Sequence, residues 1–174
     1  MKVRFLQFGA AAVLAGLPGA AWAGNDCPDG YVCASNPDGV VASLQAQGFK
    51  AKLSKGDDGR PEIDSAASGF NFTLFFKDCD GAVKCTALEF STTFTKAPEY
   101  SLAYVNEWND AHRFSTMSLL KDGGILVTYD LSTAGGLDQP NFSDVVDTWN
   151  QTLGAAETFY NAHKAKAEGA KPAA

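Results

Sequence analysis

The chain has 174 residues, of which 45% are hydrophobic and 20% charged, and its formal net charge is −6 at pH 7. This composition is typical of a globular protein and excludes a disordered or fibrous chain. The length predicts a single domain with its own hydrophobic core. The acidic balance argues against sequence-independent nucleic-acid binding, because that function requires Lys and Arg side chains that neutralise phosphates.

The first residues have the pattern of a secretory signal. Lys2 and Arg4 precede an apolar run from Phe5 through Leu17, and Ala21-Trp22-Ala23 supplies a small-x-small cleavage site. We therefore predict a signal peptide over residues 1–23 and a mature protein in the periplasm or secreted. The alternative is a permanent membrane anchor, but the run is too short to span a bilayer of about 30 Å comfortably. We expect no stable membrane insertion after cleavage.

Four cysteines follow in two pairs with the same spacing, Cys27 with Cys33 and Cys79 with Cys85. An even number of cysteines in an exported chain predicts disulfides. Three connectivities are possible, and we favour the local one, in which each pair forms its own bond. A zinc site is the competing interpretation, but the spacing is unusual for zinc and no histidine is nearby.

The predicted elements begin with a Gly-, Asn-, Asp- and Pro-rich segment over residues 24–35. Asn36 followed by Pro37 predicts the start of a first helix, which Gly48 can terminate. Alternating apolar residues from Phe49 then predict a strand, and the turn at 56–59 leads to a weaker strand over 61–65. We expect residues 65–69 to form a loop or a bulged entry to the next strand.

The region around the second cysteine pair predicts a long antiparallel hairpin. If Cys79 faces Cys85, one face of the hairpin becomes almost continuously apolar and the other polar. Directly opposed cysteines are also close enough to form a disulfide. Two independent criteria therefore select one register, which pairs Phe76 with Leu88, Leu74 with Phe90, Phe72 with Thr92 and Phe70 with Phe94.

The second half of the chain predicts two helices around another hairpin. Pro98 and Glu99 should begin the second helix, which buries Leu102, Val105 and Trp108. The next hairpin, residues 112–120 and 125–131, turns at Asp122-Gly123 and pairs Leu120 with Ile125 if the turn has two residues. The third helix follows Pro140, is capped by Asn141 or Ser143, and carries an apolar stripe of Phe142, Val145, Val146, Trp149, Leu153, Ala156, Phe159 and Tyr160. Residues 163–174 are expected to be disordered.

Several short motifs on these elements resemble the YbjN family of bacterial sensory-transduction-regulator-like proteins. They are Asn106-x-Trp108-Asn109, Arg113-Phe114, Gly69-Phe70-x-Phe72, and Cys79 with Cys85-Thr86-x-Leu88-x-Phe90, which is similar to an exported branch of the family. The resemblance covers residues 36–162. It implies an α+β fold of order α-β-β-β-β-α-β-β-α, a twisted antiparallel sheet with helices packed on it, similar to type III secretion chaperones and often paired into homodimers.

The resemblance also indicates a candidate binding surface at Asn106, Trp108, Asn109 and Arg113, because Trp and Arg are favoured anchors at protein interfaces. The alternative is structural, with Trp108 in the core and the asparagines capping the helix end. We expect no catalytic residue, metal site or cofactor. His112 and His163 lack a neighbouring nucleophile and should be solvated or cap a helix, and the Asp-Gly sequences have no EF-hand spacing.

The function we predict is a non-catalytic exported regulatory module that binds another protein or peptide, for example by adding a strand to a sheet edge. One alternative is an enzyme that uses carboxylates such as Asp130 or Glu89. Such an enzyme would be recognised by a deep pocket in which carboxylates converge with perturbed pKa values. The other alternative is a small-ligand-binding protein, which would be recognised by a closed apolar cavity.

Overall fold

The computed structural model describes residues 27–169, so the predicted signal peptide lies outside the described residues. These residues form three helices and six strands in the predicted order, which confirms the α+β class. The elements are α1 (Pro37–Ala46), β1 (Ala51–Lys55), β2 (Pro61–Ala67), β3 (Phe70–Asp80), β4 (Val83–Phe94), α2 (Leu102–Ala111), β5 (Thr116–Leu119), β6 (Ile125–Ser132) and α3 (Gln139–Gly169). Within this part of the chain, no helix is both long and apolar enough to cross a membrane.

The six strands form one antiparallel sheet in the order β1-β2-β3-β4-β6-β5. The first four strands are neighbours in sequence and in space. β6 then inserts between β4 and β5, because the chain leaves the sheet through α2 and returns at its far side. β1 and β5 are therefore the two edges of this sheet.

The β3–β4 hairpin has the predicted register, with Cys79 opposite Cys85 and Leu74 opposite Phe90. Its apolar face is buried under α3. The ring of Trp149 lies 5.8 Å from that of Phe72 and 5.6 Å from that of Phe90. The hydrophobic core therefore lies between this sheet face and the helices.

α1 begins and ends as the sequence predicts. The Asn36 side chain accepts a hydrogen bond from the Gly39 N–H at 3.1 Å, and Pro37 occupies the first turn. Gly48 follows the helix with φ of +86°, a conformation that favours glycine. Val40 and Leu44 are buried against the sheet.

α2 begins at Leu102, so the prediction that it starts at Pro98 is wrong. The Ser101 hydroxyl accepts a hydrogen bond from the Tyr104 N–H at 3.2 Å and caps the helix, which leaves Pro98 in the preceding turn. Leu102 is 68% exposed rather than buried, because the buried face of the helix is centred on Tyr104, Val105 and Trp108 and Leu102 lies to one side of it.

The β5–β6 hairpin is shifted by one residue from the predicted register, with Leu119 opposite Ile125. The turn has three residues rather than two, since Leu120 N–H donates to the Gly124 carbonyl at 2.8 Å. Gly123 adopts φ of +88°, as three-residue hairpin turns require. Because a one-residue shift exchanges the faces of a strand, Met117 is buried in the core.

β2 extends to Ala67, so the predicted loop at residues 65–69 is wrong except for its last two residues. Ser68 and Gly69 form a tight turn into β3, with φ of +48° and +82°. Two consecutive residues with positive φ are the signature of a two-residue hairpin turn whose twist matches the flanking strands.

α3 differs from the prediction at both ends. Asp138 caps it, since its carboxylate accepts a hydrogen bond from the Asn141 N–H at 2.8 Å, so neither Asn141 nor Ser143 is the cap. The helix continues to Gly169, and the expectation of disorder is wrong for residues 163–169. His163 contributes to this extension, because its Nε2 lies 3.0 Å from Glu107 Oε2 on α2.

Both cysteine pairs lie at disulfide-bond distance in the local pairing that we favour, Cys27 with Cys33 and Cys79 with Cys85. The segment that contains the first pair packs on the domain. Val32 forms a backbone bridge with Leu137, and the Ala34 N–H donates to Thr133 Oγ1 at 2.9 Å. Val32 and Ala34 are buried as a result.

Candidate functional site

The outer edge of β1 carries backbone groups that point away from the sheet. The β1–β2 hairpin closes with a hydrogen bond of 2.9 Å from the Gly56 N–H to the Arg60 carbonyl. From that point, hydrogen-bonded and non-hydrogen-bonded residue pairs alternate along the two strands. Leu53 belongs to a non-hydrogen-bonded pair, so its N–H and C=O point away from β2. Ala51 has the same orientation, and its carbonyl accepts a hydrogen bond of 3.1 Å from Gln45 Nε2, which lies outside the sheet.

Leu53 is the centre of this open edge. Within residues 27–169 the structure shows no hydrogen-bond partner for its outward N–H and C=O. Leu53 is 37% exposed, although Ile63, its partner on β2, is fully buried. An additional strand could therefore pair with β1 at this position.

The centre of the opposite edge, at Met117 of β5, is covered by a side chain. Asn109 of α2 accepts a hydrogen bond of 2.8 Å from the Met117 N–H and donates one of 3.0 Å to the Met117 carbonyl. These are the outward-pointing groups at the centre of β5, because Met117 lies between two hydrogen-bonded pairs with β6. Asn109 thus takes the place that a further strand would occupy.

A groove of about 460 Å³ runs beside the β1 edge. Its walls come from the start of α1, from β1 and the following hairpin, and from the β3–β4 turn, and its lining residues are Pro37, Asp38, Leu53, Ser54, Lys55, Gly59, Pro61 and Ala82. Peptides that add a strand to a sheet derive affinity from the backbone and specificity from such side-chain pockets. The open edge and the groove therefore form one candidate site.

The charge along this site differs from that of the whole chain. Lys50, Lys52 and Lys55 are exposed on and just before β1, whereas the protein as a whole carries a formal charge of −6. Lysines on edge strands oppose indiscriminate pairing between sheets. They also favour a partner whose extended segment carries acidic residues.

The residues of the predicted binding surface do not form one exposed patch. Trp108 is fully buried, and its ring stacks on His112 with 3.6 Å between ring centroids. Asn109 holds β5, as described above. Asn106 and Arg113 are exposed, and the Arg113 guanidinium lies 4.7 Å from the centroid of the Phe114 ring. The structure thus places two of the four residues in structural roles and two on the surface.

The two histidines connect elements. His112 ends α2, and its Nδ1 lies 3.0 Å from the Trp108 carbonyl. His163 is not solvated as expected, since its ring contacts Phe159 and Tyr104 and its Nε2 reaches Glu107. Both rings therefore contribute to the packing of α2 against α3.

Two carboxylates that could serve an enzyme lie on the sheet face that points away from the helices. Glu89 of β4 is opposite Asp130 of β6, and Lys77 Nζ lies 3.0 Å from Glu89 Oε1. Partial burial raises the pKa of Asp130, and the negative charge of Glu89 raises it further. Asp130 lines a shallow depression open to solvent rather than a deep pocket.

Among the described residues, no group of three or more His, Cys, Asp or Glu side chains could hold a metal ion.

Comparison with known proteins identifies the family. The sequence profile named YbjN, with the description "Putative bacterial sensory transduction regulator", matches residues 36–163, which is most of the chain. The chain belongs to the YbjN family. No curated protein sequence matches it.

Solved structures agree with this family assignment at the level of the fold. The chain is similar to "YbjN, a putative transcription regulator from E. coli", with a TM-score of 0.54 and 15% identity over 73% of this chain and 92% of that one. An uncharacterised protein from Methanothermobacter thermautotrophicus aligns with a TM-score of 0.49 and 13% identity, over 74% of this chain and 99% of its own. The likeness to the E. coli protein shows that the fold is YbjN-like.

The sequence analysis predicted β1 but did not identify it as the open edge. Two local signals were present. Lys52 and Lys55 lie on either side of Leu53, and lysines are common on edge strands. Pro61 begins the partner strand, and proline within sheets is confined to edges and strand starts. The missing information was the order of strands, since the insertion of β6 decides which strands are at the edges.

Proposed function

We propose that this YbjN-family protein is an exported, non-catalytic regulatory module that binds an extended segment of another protein along the edge of β1. The observation that supports it is the contrast between the two edges. Asn109 occupies the outward groups of Met117 at the centre of β5, whereas those of Leu53 at the centre of β1 have no partner in the described part of the chain.

Binding would combine backbone and side-chain recognition. The incoming segment would exchange two hydrogen bonds with Leu53 and place an apolar side chain in the groove between Pro37 and Pro61. The lysines on β1 would favour acidic residues in the same segment. A second copy of this chain, paired through the same edge, would give the homodimer that the family resemblance implies.

Export is supported by the cysteines and by the start of the sequence. Both cysteine pairs lie at disulfide distance, and disulfides persist in oxidising compartments such as the periplasm. The basic start, apolar run and Ala21-Trp22-Ala23 site are those of a signal peptide. The same compartment would separate this protein from DNA, so the regulation we propose acts through protein contacts.

The experiment uses a substitution that removes one outward N–H and leaves the β1–β2 ladder intact. Proline at position 53 lacks the amide proton that points away from β2, so Leu53→Pro should prevent strand addition without opening the hairpin. Leu53→Ala is the matched control, since it shortens the same side chain and keeps the amide. We expect periplasmic partners captured by the wild type to be retained by Leu53→Ala and lost with Leu53→Pro.

Hydrogen exchange with a captured partner locates the contact. The Leu53 amide should exchange rapidly in the free monomer and become protected in the complex. Protection of Leu53 that instead rises with protein concentration alone would show that a second copy occupies the edge. Loss of partners with Asn106→Ala plus Arg113→Ala, while Leu53→Pro still binds, would contradict the β1 site and support the surface of α2.

A further inference from the structure

A cavity of about 380 Å³ lies at the other end of the core, where α3 crosses the start of β3 and the end of β4. It is only partly open to solvent. Five aromatic residues line it together with Ile125, two alanines and several polar residues. The aromatic residues are Phe70, Phe94, Tyr100, Tyr104 and Tyr160. Cavities of this size, largely apolar with a few polar groups, are typical of small-ligand sites.

Three of these rings form a connected tyrosine cluster. The ring centroid of Tyr100 lies 5.2 Å from that of Tyr104 and 5.8 Å from that of Tyr160. The face of an aromatic ring is electron-rich and attracts cations, and groups of such rings form the cages that bind quaternary ammonium ions. The cluster therefore favours a positively charged ligand over a neutral or anionic one.

Two polar atoms beside the cluster are buried without a partner. Tyr104 is only 3% exposed, and its hydroxyl has no hydrogen-bond partner in residues 27–169. The same holds for the Oε2 atom of Glu99. Buried polar atoms are usually hydrogen-bonded, so a ligand with a hydroxyl group would satisfy the Tyr104 hydroxyl from the cavity that this residue lines.

The charge of Glu99 acts on the tyrosines. Burial raises the pKa of Tyr104 strongly, the neighbouring Tyr100 and Tyr160 add to this effect, and the Glu99 carboxylate raises it further. Glu99 also contributes to the raised pKa of Tyr100, after burial and Tyr160. Burial disfavours a charge of either sign, so of these contributions only that of the Glu99 carboxylate favours a cation at this place. The two charged residues that line the cavity, Lys96 and Glu157, have opposite charges. Glu99 is not a lining residue, but it directly precedes Tyr100, which is.

We propose that this cavity binds a small organic cation of the alkylammonium class, with its charged group against the tyrosine cluster and near Glu99. The site is separate from the β1 edge, with which it shares no lining residue. A failure of either proposal therefore leaves the other intact. A ligand here would contact α3, α2 and the sheet at once, which suits a sensory input to a regulatory module.

The test compares two probes of the same shape. Choline and 3,3-dimethylbutan-1-ol differ in that a quaternary nitrogen replaces a quaternary carbon, so they separate charge from size. Titration of the unmodified domain, followed by NMR, should show choline shifting the resonances of Tyr100, Tyr160 and Ile125, with an affinity at least about tenfold above that of the alcohol. Equal affinities, shifts elsewhere on the protein, or no binding of choline would each overturn the proposal.

The Glu99→Gln variant tests the role of the carboxylate, since it removes the charge and keeps the shape. It should weaken choline binding by roughly fivefold and leave the binding of the alcohol unchanged. Glu89→Gln, on the sheet face away from the helices, is the control and should bind choline like the wild type. Choline affinity that is the same in Glu99→Gln as in the wild type would contradict the site.

Discussion

At the scale of single residues, Asp130 shows how the position of a carboxyl group links stability to pH. Partial burial first, and then the negative charge of Glu89 on the opposite strand, raise the pKa of Asp130 above its ordinary value of 3.8. A carboxyl whose pKa is raised by folding costs stability when it is ionised. The cost is therefore present at neutral pH and disappears as the pH falls below the pKa of the unfolded chain.

We accordingly expect Asp130→Asn to stabilise the protein at pH 7. Because Asp130 is largely exposed, solvent screening limits the gain to less than about 1 kcal/mol, or a rise in Tm of roughly 1–3 °C. The gain should shrink when thermal unfolding is repeated near pH 4. Asp57→Asn, in the exposed β1–β2 turn, serves as the control. A gain of the same size at both pH values would show that the effect is not ionisation.

At the scale of elements, the Asn109 contact joins α2 to β5. One side chain satisfies both outward backbone groups of Met117, so it substitutes for a strand at that edge. It also fixes the position of the helix that carries Trp108, whose ring is buried against His112 and Phe159. This pair of hydrogen bonds therefore contributes to the core as well as to the edge.

Replacement of Asn109 by Ala should lower the free energy of unfolding by about 1–2 kcal/mol, because two hydrogen bonds at a partly buried site are lost. The Met117 amide should also exchange faster with solvent. Urea unfolding and native-state hydrogen exchange measure the two effects. Asn106→Ala, an exposed residue in the same helix, is the matched control and should change neither quantity. If both variants behave alike, Asn109 does not close the edge.

At the scale of the whole molecule, both disulfides brace the same region. The segment with Cys33 reaches Thr133 through the Ala34 N–H, and the Thr133 N–H donates to the carbonyl of Thr86, next to Cys85. Thr133 is buried at this junction. The N-terminal segment and the β3–β4 hairpin are thus connected through one residue of the chain between β6 and α3.

Reduction should therefore weaken the folded state as a whole. Each disulfide closes a short loop, and the chain-entropy model assigns such a loop about 2 kcal/mol. We expect dithiothreitol to lower the free energy of unfolding of the wild type by roughly 2–4 kcal/mol. A variant with all four cysteines changed to Ala should show no response to the reductant. An identical urea transition of the wild type with and without reductant would refute both bonds.

The comparison of sequence and structure shows which features local patterns determine. The register of β3 on β4 was predictable because the apolar alternation and the positions of Cys79 and Cys85 impose the same pairing. The register of β5 on β6 was not, because Asp122-Gly123 fits a two-residue or a three-residue turn and the burial of Met117 decides between them. The helical extension past Ala162 agrees with the high helix propensity of its Ala, Lys and Glu residues, which the prediction of disorder from low apolar content did not consider, and His163 adds a tertiary contact with Glu107.

The candidate site was less predictable than the fold. The residue types of Trp108 and Asn109 are compatible with a binding surface and with a structural role, and only tertiary packing distinguishes the two. The open edge at Leu53 depends on the strand order, which is a property of the complete sheet. Sequence patterns thus identified the elements, and the arrangement of the elements identified the site.

The place of α3 after all six strands has a consequence for biosynthesis. Phe142, Val146, Trp149 and Leu153 cover the aromatic sheet face, yet they leave the ribosome only after every strand has been made. The strands therefore emerge with an apolar face that is still uncovered. Such a nascent polypeptide stays incompletely compacted, and open to chaperones or to a translocation channel, until α3 has been synthesised.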